Sequence, residues 1–76
     1  MPMVSLHDLT SHLIEMGVVP PLARNRIYLP NGRPNFKDLL AVLQEEGVLS
    51  PETDAAFLAS PDLPKLIDLL QARGVL

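Results

Sequence analysis

The chain of 76 residues has no cysteine and no tryptophan. Without thiols there is neither a disulfide nor a thiolate metal site, and a reducing, cytoplasmic setting is the expectation. Aromatic residues make up only 4%, so the apolar mass is Leu, Val, Ile and Ala, which suits packed helices better than facing sheets. No segment approaches the roughly 18 consecutive apolar residues that a bilayer crossing needs. Met1-Pro2-Met3-Val4 also lacks a basic region leading into a long apolar run, so an unexported protein with no membrane role is expected.

Catalytic constellations are missing as well. Enzymatic work needs a nucleophile with its base, paired carboxylates, a metal set or a phosphate cradle, and neither GxGxxG nor GxxxxGK[ST] occurs. Glu45 and Glu46 are adjacent near Gly47, where a solvated helix face accounts for them better than an acid/base pair. His7 and His12 are five residues apart, which turns them about 140° from each other on a helix and prevents both from holding one metal. The sequence therefore predicts a chain that is not an enzyme and carries no cofactor and no metal.

What is present is a helical signature. Phe36, Leu39, Leu40 and Leu43 recur at i, i+3, i+4 and i+7, one stripe of a 3.6-residue helix. Asn35 can cap its start, with Asp38 three residues on as a capping-box partner. Gly47 can close it in the left-handed conformation. The same signature occurs twice more. Leu6, Leu9, Leu13, Gly17, Val18 and Val19 align with Phe36, Leu39, Leu43, Gly47, Val48 and Leu49, and again with Leu63, Leu66, Leu70, Gly74, Val75 and Leu76. The offsets are 30 and 27 residues, within the range of repeat architectures. The intervening sequences share no pattern, so the likeness reads either as an inherited repeat or as three helices stopped in the same way.

These signals predict an all-α single domain over residues 1–76: a small bundle of three main helices at about 5–16, 36–46 and 63–73, plus one short helix at 51–58. Ser5 and Asp62 are the expected caps of the first and last. Leu6, Leu9, Leu13 and Met16 are the expected inward stripe of the first, and Leu63, Leu66, Ile67, Leu69 and Leu70 that of the last. The last stripe ends two residues past Gly74, so the chain is either part of a longer protein or tucks its end into the core. Residues 18–34 hold Pro20, Pro21, Pro30, Pro34 and Gly32, which forbid one continuous helix and predict an irregular arm between helices 1 and 2. Within it Arg26-Ile27-Tyr28-Leu29 alternates in polarity as a short strand would, and Pro30-Asn31-Gly32 is turn chemistry.

The arm is the leading candidate for function. The formal net charge is −3, yet Arg24, Arg26, Arg33 and Lys37 lie in a stretch without an acid, whereas seven acids fall in residues 38–76. Arg24, Arg26, Tyr28, Arg33 and Lys37 are the candidate partner-binding residues, expected to serve binding more than folding. In the alternative reading Leu22, Ile27, Tyr28 and Leu29 simply cover the open side of the helices. Hydrophobic residues reach 47% with a mean hydropathy of +0.21, more than a small domain easily hides. A protein-protein interaction module with a protein partner is thus the expected function, with self-association also allowed by the apolar content. The runner-up is a nucleic-acid-binding regulator using residues 24–37.

Two stretches resemble known patterns. Leu43 to Leu58, with GVLSPET at its centre, resembles the turn of a helix-turn-helix but carries one extra residue, Leu49. Its following helix bears Glu52 and Asp54 with no Arg, Lys, Asn or Gln, a composition that repels phosphate. Residues 31–43, NGRPNFKDLLAVL, are similar to the stretch opening the second helix of peripheral subunit-binding domains, small two-helix modules of acyltransferase complexes. The Gly-Thr-Gly of that family's loop is missing here and the loop is longer. The resemblance implies docking to a partner enzyme through basic residues.

Overall fold

A computed structural model describes residues 5–76. The described chain is mostly helical, 58%, with almost no strand. Three α-helices have ten residues each: α1 (Leu6–Glu15), α3 (Phe36–Glu45) and α5 (Leu63–Ala72). Between the first two, a 3-10 turn at Pro21–Ala23 runs directly into α2 (Arg24–Ile27), and α4 (Ala55–Ala59) precedes α5.

The three long helices begin and end by the same local chemistry. Ser5 Oγ accepts from the backbone N–H of Asp8 at 3.1 Å, Asn35 Oδ1 from that of Asp38 at 3.2 Å, and Asp62 Oδ1 from that of Lys65 at 2.8 Å. Each cap satisfies one N–H that the helix itself leaves unpaired. At the other end, Gly17, Gly47 and Gly74 have φ of +81°, +80° and +73°, and the chain turns back on the last carbonyls. Val18 and Val19 both donate to Leu13 O, at 3.0 and 3.1 Å, Val48 and Leu49 to Leu43 O, at 2.9 and 3.2 Å, and Val75 and Leu76 to Leu70 O, at 2.9 and 3.4 Å. The apolar residues after each glycine are thereby laid against the helix they close, and Val19 and Leu49 are buried.

Gly47 permits a direct test of this closure. A Cβ added there would meet nothing within 4 Å, so a substitution is opposed by the left-handed backbone alone. Gly47→Val should lower stability in chemical denaturation by about 1–2 kcal/mol. A midpoint equal to that of the wild type would contradict the left-handed closure.

The arm departs from the expectation. Arg26 and Ile27 belong to a helical turn, not to a strand, and only Tyr28 is extended, forming an isolated antiparallel bridge with Pro34. The reason is tertiary. Ala23 and Ile27, four residues apart, are both buried against the long helices, a spacing that a helix satisfies and a strand does not. Four residues of alternating polarity were too few to distinguish the two periods. The turn at Pro30-Asn31-Gly32 forms as predicted, with Gly32 N–H on Leu29 O at 2.9 Å and Arg33 N–H on Asn31 Oδ1 at 2.9 Å.

The connections, unlike in residue identity, are alike in form. Pro21 and Pro51, 30 positions apart, each follow the helix stop and lead into a short helical stretch, α2 in one case and α4 in the other. Residues 51–54 are turns, so the short helix expected at 51–58 is confined to Ala55–Ala59. Its brevity also separates the segment from a helix-turn-helix, whose second helix must span a groove.

One apolar cluster joins all of these pieces. Leu9 and Leu13 of α1, Leu39, Leu40, Val42 and Leu43 of α3, and Leu66 and Leu70 of α5 are buried with Val19, Ala23, Ile27 and Leu49. Thr10 is buried as well, its Oγ1 donating to Leu6 O at 2.7 Å. Met16 does not join the stripe: it is 46% exposed, because it is the C-cap residue of α1 and the helix has already ended there. Leu63, Ile67 and Leu69 are only partly covered, so α5 is embedded less deeply than α3. Val75 and Leu76 pack against the cluster.

Candidate interaction site

The short helix of the arm has an inner and an outer side. With Ala23 and Ile27 inward, Arg24 and Tyr28 lie on one flank, Leu22 and Arg26 on the other, and Asn25 points outward. The inner side is therefore part of the core, and only the outer side is free for binding. Of the four apolar residues thought to cover the helices, Ile27 does so completely and Tyr28 by half, whereas Leu22 and Leu29 are exposed.

Each predicted residue has a distinct setting. The guanidinium carbon of Arg24 stands 4.6 Å from the centroid of the Tyr28 ring, a cation–π contact of the exposed kind. The Tyr28 hydroxyl is 2.8 Å from His7 Nδ1, with the two rings edge to face at 5.8 Å. His7 on α1 thus braces the arm, a role that its sequence position gave no reason to suspect.

Arg26 crosses to α3 and pairs with both carboxylate oxygens of Glu45. This hydrogen-bonded pair holds the Glu45 carboxyl below the usual carboxylate range and raises Arg26 above its ordinary value. Both groups are exposed, so the pair is screened and contributes little to stability. Arg33 contributes its backbone to the turn, its carbonyl accepting from Leu29 N–H at 2.8 Å, while its side chain is exposed. Lys37 is exposed on the first turn of α3. Among the described residues the ion pairs are Arg26–Glu45, Lys65–Asp62 and Arg73–Asp54. Arg24, Arg33 and Lys37 therefore form no ion pair there, and Arg26 is the one predicted cation that is already neutralised.

A second polar cluster escaped the sequence reading. Asp54, only 5% exposed, accepts two hydrogen bonds from the Arg73 guanidinium and one from Ser50 N–H at 2.8 Å. Arg73 Nη1 also donates to Val48 O at 2.8 Å. The Arg73 contact first, and the Ser50 N–H second, hold the Asp54 carboxyl below its ordinary range. This cluster fastens the end of α5 to the connection after α3. Among the described residues no buried side-chain nitrogen or oxygen lacks a partner, and the cluster acts as a clasp. Nineteen residues separate Asp54 from Arg73, too many for any local spacing rule to announce the pair.

Comparison of the chain with protein-family models, with curated proteins and with solved structures finds no match.

Proposed function

We propose that this chain is a non-enzymatic protein-interaction module, a docking, adaptor or regulatory domain of a reducing compartment. Its helices form a small bundle, and the outer side of the proline-led arm presents Arg24, Tyr28 and Arg33, with Lys37 on the first turn of α3, to a protein partner. The observation that carries this reading is the set of three exposed cations that form no ion pair among the described residues, one of which, Arg24, lies over the ring of the half-buried Tyr28. Arg26 belongs to the brace through Glu45, and its contribution to binding is indirect.

Binding of single-stranded nucleic acid is the competing use of such a cluster. It ordinarily depends on aromatic faces on which bases stack. Here Arg24 covers a face of Tyr28 and His7 holds its hydroxyl, which favours a protein partner that meets the cations themselves.

A triple variant tests the reading. Arg24→Ala, Arg33→Ala and Lys37→Ala together should leave helical circular dichroism and the melting midpoint nearly unchanged, because none of the three is buried. Binding to a partner isolated with the wild-type chain should weaken at least roughly tenfold, about 1.4 kcal/mol. Undiminished binding would move the interface to the acidic helices. A partner that proves to be a second copy, seen as a dimer by sizing chromatography, would assign the surface to self-association.

A further inference from the structure

Leu22 is 87% exposed, against 46% for Met16 and 39% for Leu29, the other large hydrophobic side chains left open among the described residues. One exposed leucine requires no explanation by itself. Three observations single this one out. The residue 30 positions on, in the corresponding turn after Pro51, is Glu52, also exposed, so the turn can be built with a charged residue at that place. The stem is rigid: Pro20 has φ −61° and ψ 141°, Pro21 opens the 3-10 turn, and Ala23 N–H closes it on Pro20 O at 2.9 Å. Two successive ring-fixed φ angles leave little backbone freedom to lose on docking. Finally, Arg24, exposed only two residues from Leu22, is a cation that no carboxylate of the described residues pairs.

We infer that Leu22 is the apolar anchor of the arm, and that the partner is a protein surface with an apolar pocket bordered by Asp and Glu side chains. This rests on the reading of the arm as a protein-docking surface and adds the chemistry of what it docks to. An acidic protein surface answers both the cations and the leucine. A single-stranded nucleic acid answers the cations through its phosphates, but its bases stack on aromatic faces, which a leucine does not offer. Leu22 therefore separates two partner classes that the cations by themselves do not.

Peptide display on the immobilised chain provides the test, with a labelled thymidine oligonucleotide titrated in parallel at physiological salt. The proteins are the wild type, Leu22→Ser, and the triple variant lacking Arg24, Arg33 and Lys37 side chains. The enriched peptides should combine Asp or Glu with one or two large apolar residues, and should lose at least roughly tenfold in affinity to each variant. Leu22→Ser should melt with the wild type. A lower midpoint would place Leu22 in the fold and overturn the anchor. Peptides weakened by the triple variant but bound equally by Leu22→Ser would leave the docking surface standing and overturn the anchor alone. Peptides indifferent to both variants, or no enrichment at all, would overturn both. Oligonucleotide binding lost in the triple variant and kept in Leu22→Ser, without peptide binding, would give the arm to nucleic acid.

Discussion

Leu43→Ala and Leu70→Ala will each lower the unfolding free energy by about 2–4 kcal/mol. Both side chains are fully buried, and both belong to the carbonyl-bearing residue on which the chain folds back after a glycine. Truncation leaves a void among leucines that cannot close without moving the two residues bonded to that carbonyl. For a domain of this size each kcal/mol moves the melting temperature by about 4–8 °C, so a fall of roughly 8 °C or more is expected in thermal melts followed by circular dichroism. A shift of a degree or two in both variants would mean that the glycine-closed turns do not seal the core.

The second large effect concerns the clasp. Arg73→Leu removes the guanidinium that meets both the buried Asp54 carboxylate and Val48 O. Arg73 itself is partly exposed, but its removal leaves the buried Asp54 carboxylate uncompensated, which is destabilising. Arg26→Leu, by contrast, breaks an exposed pair and should change the melting point little. The clasp also has a pH signature. Asp54 is held below its ordinary range in the folded chain, so the folded state favours its ionised form. Its stabilisation is fully present above the unfolded carboxylate range, near pH 4, and is lost as pH falls further through the folded value. Melting temperatures recorded from neutral pH into acid should therefore drop below about pH 4, and Asp54→Asn should flatten that limb while lowering the plateau. Glu45→Gln should leave the limb in place. An unaltered acid limb in Asp54→Asn would assign it to other carboxylates.

Much of this architecture was legible because it is local. Ser5, Asn35 and Asp62 announce helix starts by a side-chain oxygen placed before an apolar period, and Gly17, Gly47 and Gly74 announce stops by the only residue type that enters the left-handed region freely. Such rules operate within one turn of chain. The arm was less legible, since α2 has four residues, barely one helical turn, and its helicity comes from burying Ala23 and Ile27 together. The candidate site was readable as a composition, four cations and an aromatic. Its wiring was not. That Glu45 takes Arg26 while Arg24 keeps to Tyr28 follows from where α3 lies relative to the arm, and the contact of His7 with the Tyr28 hydroxyl spans 21 residues. The exposure of Leu22 was illegible for a related reason: hydrophobicity predicts burial on average, and nothing in a tetrad such as Pro20-Pro21-Leu22-Ala23 says which of its members faces out.

The glycine-closed helices also bear on how the chain folds. Among the described residues, most backbone hydrogen bonds outside the helices join residues within six positions of each other, and the longest reach is from Asn35 N–H to Ile27 O at 2.8 Å. A topology so dominated by near neighbours has little loop entropy to overcome before its contacts form, which places folding in the microsecond to millisecond range typical of helical domains. The lifetime of the folded state then depends on what must break first on the way out. The Asp54–Arg73 clasp, which joins residues far apart in sequence, is the sort of interaction that forms late. Its strength will therefore be expressed mainly in the unfolding rate and hardly at all in the folding rate.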